Sequence, residues 1–315
     1  MTDCSIIICT RNRAAVLEKT LNAFQSVRVP SGLCVELIVA DNGSVDHTAE
    51  VIRCAMHPEI KIRHVYESLP GKSRAQNTAL AAAEGDVLLF TDDDVVPAVD
   101  WIEKMSKPLL DRRCEAVTGR ILLAESLRRP WFTPMHEVWL AIVREPASYS
   151  PELIGASMGI HRSVFDQIGS FDEDLGPGAS GFGEETLLWM QMKEAGFRVL
   201  PVSDTHVVHY PEAVRLLRAS WLAAAERFGN TGAYIMHHWE HSRERFPIAQ
   251  LFWVRSKLFL RNRLRPAPVL DNEGCPAWEM SYLVRIAALR SWIIESRKPR
   301  NYVRYGLYKI ARKSH

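Results

Sequence analysis

Most of the chain alternates between short apolar runs and segments in which apolar residues recur at helical spacing. The apolar runs predict buried strands at 5–9, 35–40, 60–66, 87–90, 116–123, 155–160 and 198–202. The segments between them predict helices at 14–27, 48–54, 71–83, 101–110, 163–168 and 186–195. This alternation is typical of an α/β protein with a mostly parallel sheet, right-handed crossovers and helices on its faces.

Three of the predicted strands are followed directly by polar loops, at 10–13, 41–44 and 92–94. Parallel strands place their carboxyl ends at one edge of the sheet, where open α/β sheets bind their ligands. We therefore expect these three loops to converge on one site.

The loop at 92–94 consists of three consecutive carboxylates, Asp92, Asp93 and Asp94. Adjacent carboxylates repel each other unless water or a cation relieves them, and oxygen ligands suit Mg²⁺ or Mn²⁺. A solvated acidic turn is the alternative interpretation. The expected convergence of the three loops favours a cation site over that alternative.

The charge of the chain is unevenly distributed. Residues 1–210 contain 20 Lys and Arg against 29 Asp and Glu, whereas residues 211–315 contain 19 against 8. Segments 214–225 and 251–264 have the pattern of amphipathic helices, with basic residues in 255–265 and again in 297–313. Such a region is expected either to lie on an anionic membrane or to pack on the rest of the chain with its basic face solvated.

The composition is that of a globular protein, with 315 residues of which 47% are hydrophobic and 24% charged. Six scattered cysteines without a CxxC pair predict reduced thiols of a cytosolic protein, and neither a disulfide framework nor a zinc site. We expect no signal peptide and no transmembrane helix, because no apolar stretch is long enough for either. Residues 126–151 have no clear periodicity and predict a long loop or short helices.

Six motifs in order between residues 5 and 211 carry a resemblance to a known family. They are SIIICTRNR, VADNGSVDHT, GKSRAQN, FTDDDVVP, GSFDEDLG with GEETLLWMQMKEAG, and HVVHYP. Each motif alone is weak, but all six in this order resemble glycosyltransferase family 2. That family comprises inverting nucleotide-sugar transferases with a GT-A fold, a Rossmann-like sheet flanked by helices.

The resemblance implies a domain at 1–211, with a nucleotide-sugar half at about 1–115 and an acceptor half at about 116–211. The basic region 212–315 would form a C-terminal helical extension. A divalent cation, Mn²⁺ or Mg²⁺, would be the cofactor. The donor would be a nucleotide-diphosphate sugar and the acceptor a saccharide or lipid-linked hydroxyl, with no nucleic acid as a partner. The protein would be cytoplasmic, with peripheral association of 212–315 with an anionic membrane as a further expectation.

The resemblance also assigns roles to individual residues. The residues that it implies for binding the nucleotide sugar are Thr10, Arg11, Arg13, Asp41, Lys72, Arg74, Asp92 and Asp93. Either Lys72 or Arg74 would face the phosphates. The metal ligands would be Asp94, Asp92 and His209.

The catalytic base would be Glu185, with Glu184 as the alternative. The family usually has Glu-Asp where this chain has Glu-Glu, so its base is one methylene longer. A carboxylate near the acceptor hydroxyl takes its proton during attack, and direct attack opposite the leaving group inverts the anomeric carbon. Two other functions stay open: a non-catalytic nucleotide-sugar binder or partner subunit, and a phosphoryl-transfer enzyme. A phosphoryl-transfer enzyme usually carries its aspartate motif after the first strand, whereas here the motif follows the fourth.

Overall fold

The computed structural model describes residues 2–147, 151–264 and 272–310. The chain divides into two compact units. Unit 1 comprises Met1–Arg128, Leu140–Glu173 and Glu184–Tyr210, and unit 2 comprises Arg129–Trp139, Asp174–Gly183 and Pro211–His315. The division into domains that the resemblance implies, at residue 211, stays a prediction.

Unit 1 is built around an eight-stranded sheet, counted over the described residues. The strands are β1 Cys4–Thr10, β2 Val35–Asp41, β3 Ile60–Tyr66, β4 Val87–Asp92, β5 Val95–Pro97, β6 Ala116–Leu123, β7 Met158–His161 and β8 Val199–His209. Their order is β3-β2-β1-β4-β7-β6-β8-β5. The pairs among β3, β2, β1 and β4 are parallel, and so is β6 with β8, whereas β7 and β5 pair antiparallel with their neighbours. The expected α/β class with a Rossmann-like sheet is therefore confirmed.

Helices cover this sheet. They are α1 Ala14–Phe24, α2 Thr48–Cys54, α3 Lys72–Ala82, α4 Trp101–Leu110, α6 Ser163–Ile168 and α7 Glu184–Glu194 in unit 1. The core forms because the central strands carry apolar side chains on both faces of the sheet. Consecutive residues such as Ile6, Ile7 and Ile8 of β1 are therefore all buried. Helix α4 adds Trp101, which is fully buried and packs edge-to-face on Phe24 at 6.3 Å between ring centroids.

Unit 2 is helical, with α5 Pro134–Trp139, α8 Arg218–His238, α9 Pro247–Leu264 and α10 Ala277–Glu295. Helices α8 and α10 pack closely because α8 has a glycine where they meet. A Cβ at Gly229 would lie 2.5 Å from the Val284 carbonyl oxygen and 2.6 Å from the Ala287 Cβ. No helix among the described residues combines the length and the hydropathy needed to cross a bilayer.

The structure corrects several predicted elements. Residues 155–157 form a 3-10 turn before β7 instead of a continuous strand, and β8 runs on from the predicted 198–202 to His209. Strand β5 and helix α10 were not predicted, and α8 lies at 218–238 instead of 214–225. Arg265 and Lys313, which bound the two basic clusters, lie outside the described residues.

Candidate active site

Parallel pairing brings the three polar loops to one edge of the sheet. In the register of β1, Thr10 lies opposite Asp41 of β2 and Cys9 lies opposite Asp92 of β4. The polar residues that end these strands are therefore neighbours because the strands are parallel and in step.

Asp93 is buried and held from three directions. The Thr10 hydroxyl donates to its Oδ2 at 2.7 Å, and Arg13 makes an ion pair with its Oδ1. The Thr20 hydroxyl of α1 donates to its backbone carbonyl at 2.7 Å. Burial raises the pKa of Asp93 to about 7, although the Arg13 guanidinium opposes the rise. The middle aspartate is thus a structural anchor for the loop.

Asp94 faces His209, which ends β8. The antiparallel pairing of β5 with β8 sets Val95 opposite His209 and so brings the two side chains together. His209 Nδ1 donates to the Leu140 carbonyl at 2.9 Å, which leaves Nε2 facing Asp94 Oδ1 at 3.2 Å. Burial would raise the pKa of Asp94, but the His209 imidazole and the Arg13 guanidinium hold it well below its usual range.

This pair suits a divalent cation. Nε2 of His209 is buried and lies 3.2 Å from Asp94 Oδ1, without a well-oriented hydrogen bond to any described residue. A proton or a metal ion has to lie between two such groups, and a backbone carbonyl on the other imidazole nitrogen is the usual support of a metal-binding histidine. Among the described residues, no three His, Cys, Asp or Glu side chains are grouped to hold a metal by themselves. Mn²⁺ or Mg²⁺ often takes one or two protein ligands and completes its shell with phosphate and water.

A second cluster surrounds Lys72 at the start of α3. Its Nζ lies 2.9 Å from Asp92 Oδ1 and 3.6 Å from Glu184 Oε1. Burial lowers the pKa of Lys72, but Asp92, Glu184 and Glu185 outweigh that effect and hold the pKa well above its usual value. Asp92 therefore forms an ion pair with Lys72, and its role as a metal ligand stays a prediction.

Glu184 and Glu185 open helix α7 and differ in their surroundings. Burial and the charge of Glu185 raise the pKa of Glu184 well above its usual range, although Lys72 opposes the rise. Glu185 is half-buried, and its Oε2 has no hydrogen-bond partner among the described residues. Its Oε1 lies beside Gly155, where an added Cβ would sit 3.7 Å from that oxygen and 3.3 Å from Lys72 Nζ. The glycine leaves room beside this carboxylate, whose Oε2 is buried.

The other predicted site residues lie outside these two clusters. Arg74 Nη1 pairs with Glu173 at 2.7 Å, and Arg11 is exposed. Asp41 is buried, accepts the Ser44 amide at 2.9 Å and lies 3.5 Å from His64 Nε2. The structure thus groups Thr10, Arg13, Lys72, all three aspartates, both glutamates and His209 in the two clusters, and leaves Asp41, Arg11 and Arg74 outside them. The roles that the resemblance assigns to all of these residues stay predictions.

Sequence reasoning missed residues that position the site without a motif of their own. Thr20 binds the Asp93 carbonyl, and Leu140 contributes only its backbone oxygen. Asn42 accepts the Gly71 amide at 2.8 Å and donates to the Leu69 carbonyl at 2.6 Å, which fixes the loop that leads to Lys72. Its place directly after Asp41 was the available signal.

Comparisons with known proteins agree on one family. Residues 5–169 match the family model described as glycosyl transferase family 2. The chain is 26% identical over 237 residues, or 73% of its length, to the pre-mycofactocin glycosyltransferase of Mycobacterium tuberculosis, covering 47% of that protein. It is 31% identical over 190 residues, or 55% of its length, to an N-acetylglucosaminyltransferase of Rhizobium meliloti, covering 43% of that protein. The chain therefore spans about half the length of the curated relatives it matches.

One solved structure shares the fold over nearly the whole chain. It is the mannosyltransferase PcManGT from Pyrobaculum calidifontis in complex with GDP-Man and Mn²⁺. The TM-score is 0.57 at 20% identity, and the alignment covers 91% of this chain and 86% of that one.

Proposed function

Because the chain belongs to glycosyl transferase family 2, we propose that it transfers a sugar from a nucleotide-diphosphate donor to an acceptor hydroxyl with inversion. The observation that carries the proposal is the pairing of His209 Nε2 with Asp94. Asp94 follows closely after Asp92, which forms an ion pair with Lys72 in the second cluster. The Asp94–His209 pair suits a cation on the leaving diphosphate, and the glutamates beside Lys72 suit proton transfer. The complex of PcManGT with GDP-Man and Mn²⁺ supports this choice of donor and cation.

Asp94 and His209 would hold the divalent cation, which stabilises negative charge on the leaving diphosphate when bound. Arg13 already neutralises Asp93 and Asp94 and would keep this acidic loop compact. Thr10 and Thr20 hold Asp93 in place, so the loop presents Asp94 in a fixed position. Lys72 would add a positive charge on the donor side of the site.

Glu185 is the stronger candidate for the base. Its Oε2 has no hydrogen-bond partner among the described residues, whereas Glu184 is buried, contacts Lys72 and has a raised pKa. A base has to be ionised and within reach of the acceptor hydroxyl to accept its proton. Glu184 would instead position the Lys72 ammonium and interact electrostatically with the Glu185 carboxylate.

The two glutamates are distinguished by paired amide substitutions. Glu185→Gln should reduce kcat by roughly 10²–10⁴-fold and leave donor affinity nearly unchanged, because the shape of the side chain is kept. Glu184→Gln should retain more turnover and alter donor affinity through Lys72. Turnover by Glu185→Gln with an inactive Glu184→Gln would reverse the assignment. Donor binding without turnover of any acceptor in the wild-type protein would favour the non-catalytic alternative.

We also propose that α9 lies on an anionic membrane surface. Large apolar side chains are exposed along this helix, with Phe252 75%, Phe259 68% and Trp253 57% exposed, whereas Val254 is buried. At about 100° per residue, Ile248, Phe252, Phe259, Leu260, Trp253 and Leu264 occupy one arc of the helix.

Exposed basic residues flank this arc, and Arg263 lies within it. Arg255 and Lys257 lie at its two edges, and Lys257 stacks on the Trp253 ring at 3.5 Å. Each basic residue near an anionic surface contributes about 1 kcal/mol, which adds to burial of the apolar side chains. A second copy of the chain would bring like charges together, so anionic lipid fits the surface better. A lipid-linked acceptor would be met at that surface.

Vesicle sedimentation tests the membrane proposal. The protein should sediment with phosphatidylcholine vesicles that contain phosphatidylglycerol at low salt, and high salt should release it. Phe252→Glu should abolish sedimentation, whereas Val214→Glu, at another exposed apolar residue of unit 2, should not. Equal recovery with neutral and anionic vesicles would refute the proposal. Dimerisation that Phe252→Glu abolishes, without vesicle binding, would identify a self-association surface instead.

A further inference from the structure

Unit 2 contains a polar cavity of about 880 Å³ that the proposed reaction does not use. Its wall is formed by residues of α8, α10 and the segments 174–180 and 298–301. Its volume lies within the range of small-molecule sites, which are usually few in a protein.

The floor of the cavity is a connected and buried hydrogen-bond network. Asn301 Nδ2 donates to the Tyr234 hydroxyl at 2.7 Å and to Asp174 at 3.2 Å, and the Tyr234 hydroxyl lies 3.3 Å from the same carboxylate. His238 Nδ1 accepts the Asn301 amide at 3.2 Å, and its Nε2 lies 3.0 Å from Glu295. Tyr234, His238 and Asn301 are each at least nine-tenths buried, so the floor is preorganised.

The wall above this floor is different, because four of its polar side chains have no partner among the described residues. Glu226, Asn230, Arg290 and Ser291 all line the cavity. No hydrogen bond or ion pair joins any of these four side chains to another residue in the part of the chain that the structure describes. Together they offer a carboxylate, an amide, a guanidinium and a hydroxyl, which include both donors and acceptors.

The charges of the lining balance one another. Lys309 pairs with Asp174 at 2.8 Å and Lys298 pairs with Glu295 at 2.8 Å, which leaves the Glu226 carboxylate and the Arg290 guanidinium. The lining therefore offers no surplus of positive charge to a phosphate or carboxylate ligand. A ligand with many neutral hydroxyls satisfies both kinds of polar group at once.

We propose that this cavity binds a neutral saccharide. Glu226 and Asn230 of α8 and Arg290 and Ser291 of α10 would bind the sugar hydroxyls, above the fixed floor of Tyr234, His238 and Asn301. The inference does not depend on the proposed reaction, because binding is measured without a donor.

The site would also affect the segment Asp174–Gly183, which contributes Ser180 to the wall. This segment is pressed against α8: a Cβ at Gly183 would lie 2.3 Å from Thr231 Cγ2, and Thr231 Oγ1 donates to the Phe182 carbonyl at 2.9 Å. The segment is therefore already fixed to α8 at Phe182 and Gly183, and a bound saccharide that contacts Ser180 would restrict its motion further. Hydrogen exchange of the 174–183 amides should become slower when saccharide binds.

Saturation-transfer NMR with cellotriose, maltotriose and triacetylchitotriose tests the site on the full chain. At least one of the three should bind wild-type protein. Ser291→Phe should weaken that binding by about tenfold or more, since the ring would occupy the cavity, whereas Ser281→Phe on the exposed side of the same helix should not. If Ser291→Phe fails to fold by circular dichroism, Arg290→Gln at an exposed position provides the test and should also weaken binding.

Three results would overturn the inference. They are no binding of any of the three saccharides to wild-type protein, binding that the cavity variants leave unchanged, and displacement of the saccharide by inorganic phosphate at equal concentration. The last result would identify an anion site. Because neither donor nor metal is present, a failure here leaves the proposed glycosyl transfer untouched.

Discussion

Lys72→Met should destabilise unit 1 far more than the substitution of an exposed charged residue would. Its ammonium lies 2.9 Å from Asp92 and 3.6 Å from Glu184, and only 21% of its side chain is exposed. With an effective dielectric constant of about 20, Coulomb's law gives roughly 6 kcal/mol for the attraction between Lys72 and Asp92 before desolvation. Removing one partner of a buried ion pair costs about 3–5 kcal/mol in measured cases, because the remaining charge stays buried. We expect the free energy of unfolding to fall by that amount.

Urea unfolding measures this change as a shift of the midpoint at constant slope. Arg53→Met is the matched control, because Arg53 pairs with Glu50 at 3.6 Å but both side chains are mostly exposed. That control should lose no more than about 1 kcal/mol.

A pH series makes the test sharper. Without Lys72, Glu184 loses the cation that opposes its raised pKa. A carboxyl with a pKa raised in the folded state costs stability as the pH rises above its unfolded value, so the deficit of Lys72→Met should shrink on acidification to about pH 5. A loss no larger than that of Arg53→Met, or a deficit that does not depend on pH, would refute the reasoning.

Three further predictions concern packing, the metal ligand and a buried histidine. Gly229→Ala should cost about 1–3 kcal/mol in urea unfolding because its Cβ meets the Val284 carbonyl, whereas Gly232→Ala in the same helix meets nothing within 4 Å and should stabilise by about 0.4–1 kcal/mol; equal effects would contradict the close packing. His209→Ala should weaken Mn²⁺ affinity, measured by calorimetry, and should leave Tm nearly unchanged. A large loss of Tm with normal Mn²⁺ affinity would show a structural histidine. Burial lowers the pKa of His136, so its contribution to stability is present above its usual pKa of 6.5 and is lost as the pH falls below it; melting curves of His136→Gln should therefore depend less on pH between about 7 and 5.5 than those of the wild type.

The sheet and the edge that carries the site were predictable from local patterns. Buried strands such as Cys4–Thr10 are continuous apolar runs, and their polar ends mark where the sheet stops. Parallel pairing then brings Thr10, Asp41 and Asp92 together without any further information. This part of the site follows from the periodicity of side chains along strands.

The contacts that decide chemistry were not predictable in the same way. The position of Arg13 between Asp93 and Asp94, and the Leu140 carbonyl on His209, depend on how distant segments pack. Helix α10 was missed because apolar residues lie on all sides of it, so that no face stands out. Strand β5 has three residues and includes Pro97, too few for a periodic signal.

The most direct test of the account is nucleotide release from UDP- and GDP-sugars by metal-stripped protein, with and without Mn²⁺. We predict that Mn²⁺ restores release for at least one donor and that Asp94→Ala, once circular dichroism has shown it to be folded, shows no restoration. Release by the stripped wild-type protein at the rate seen with Mn²⁺, or full Mn²⁺-dependent activity of Asp94→Ala, would contradict it.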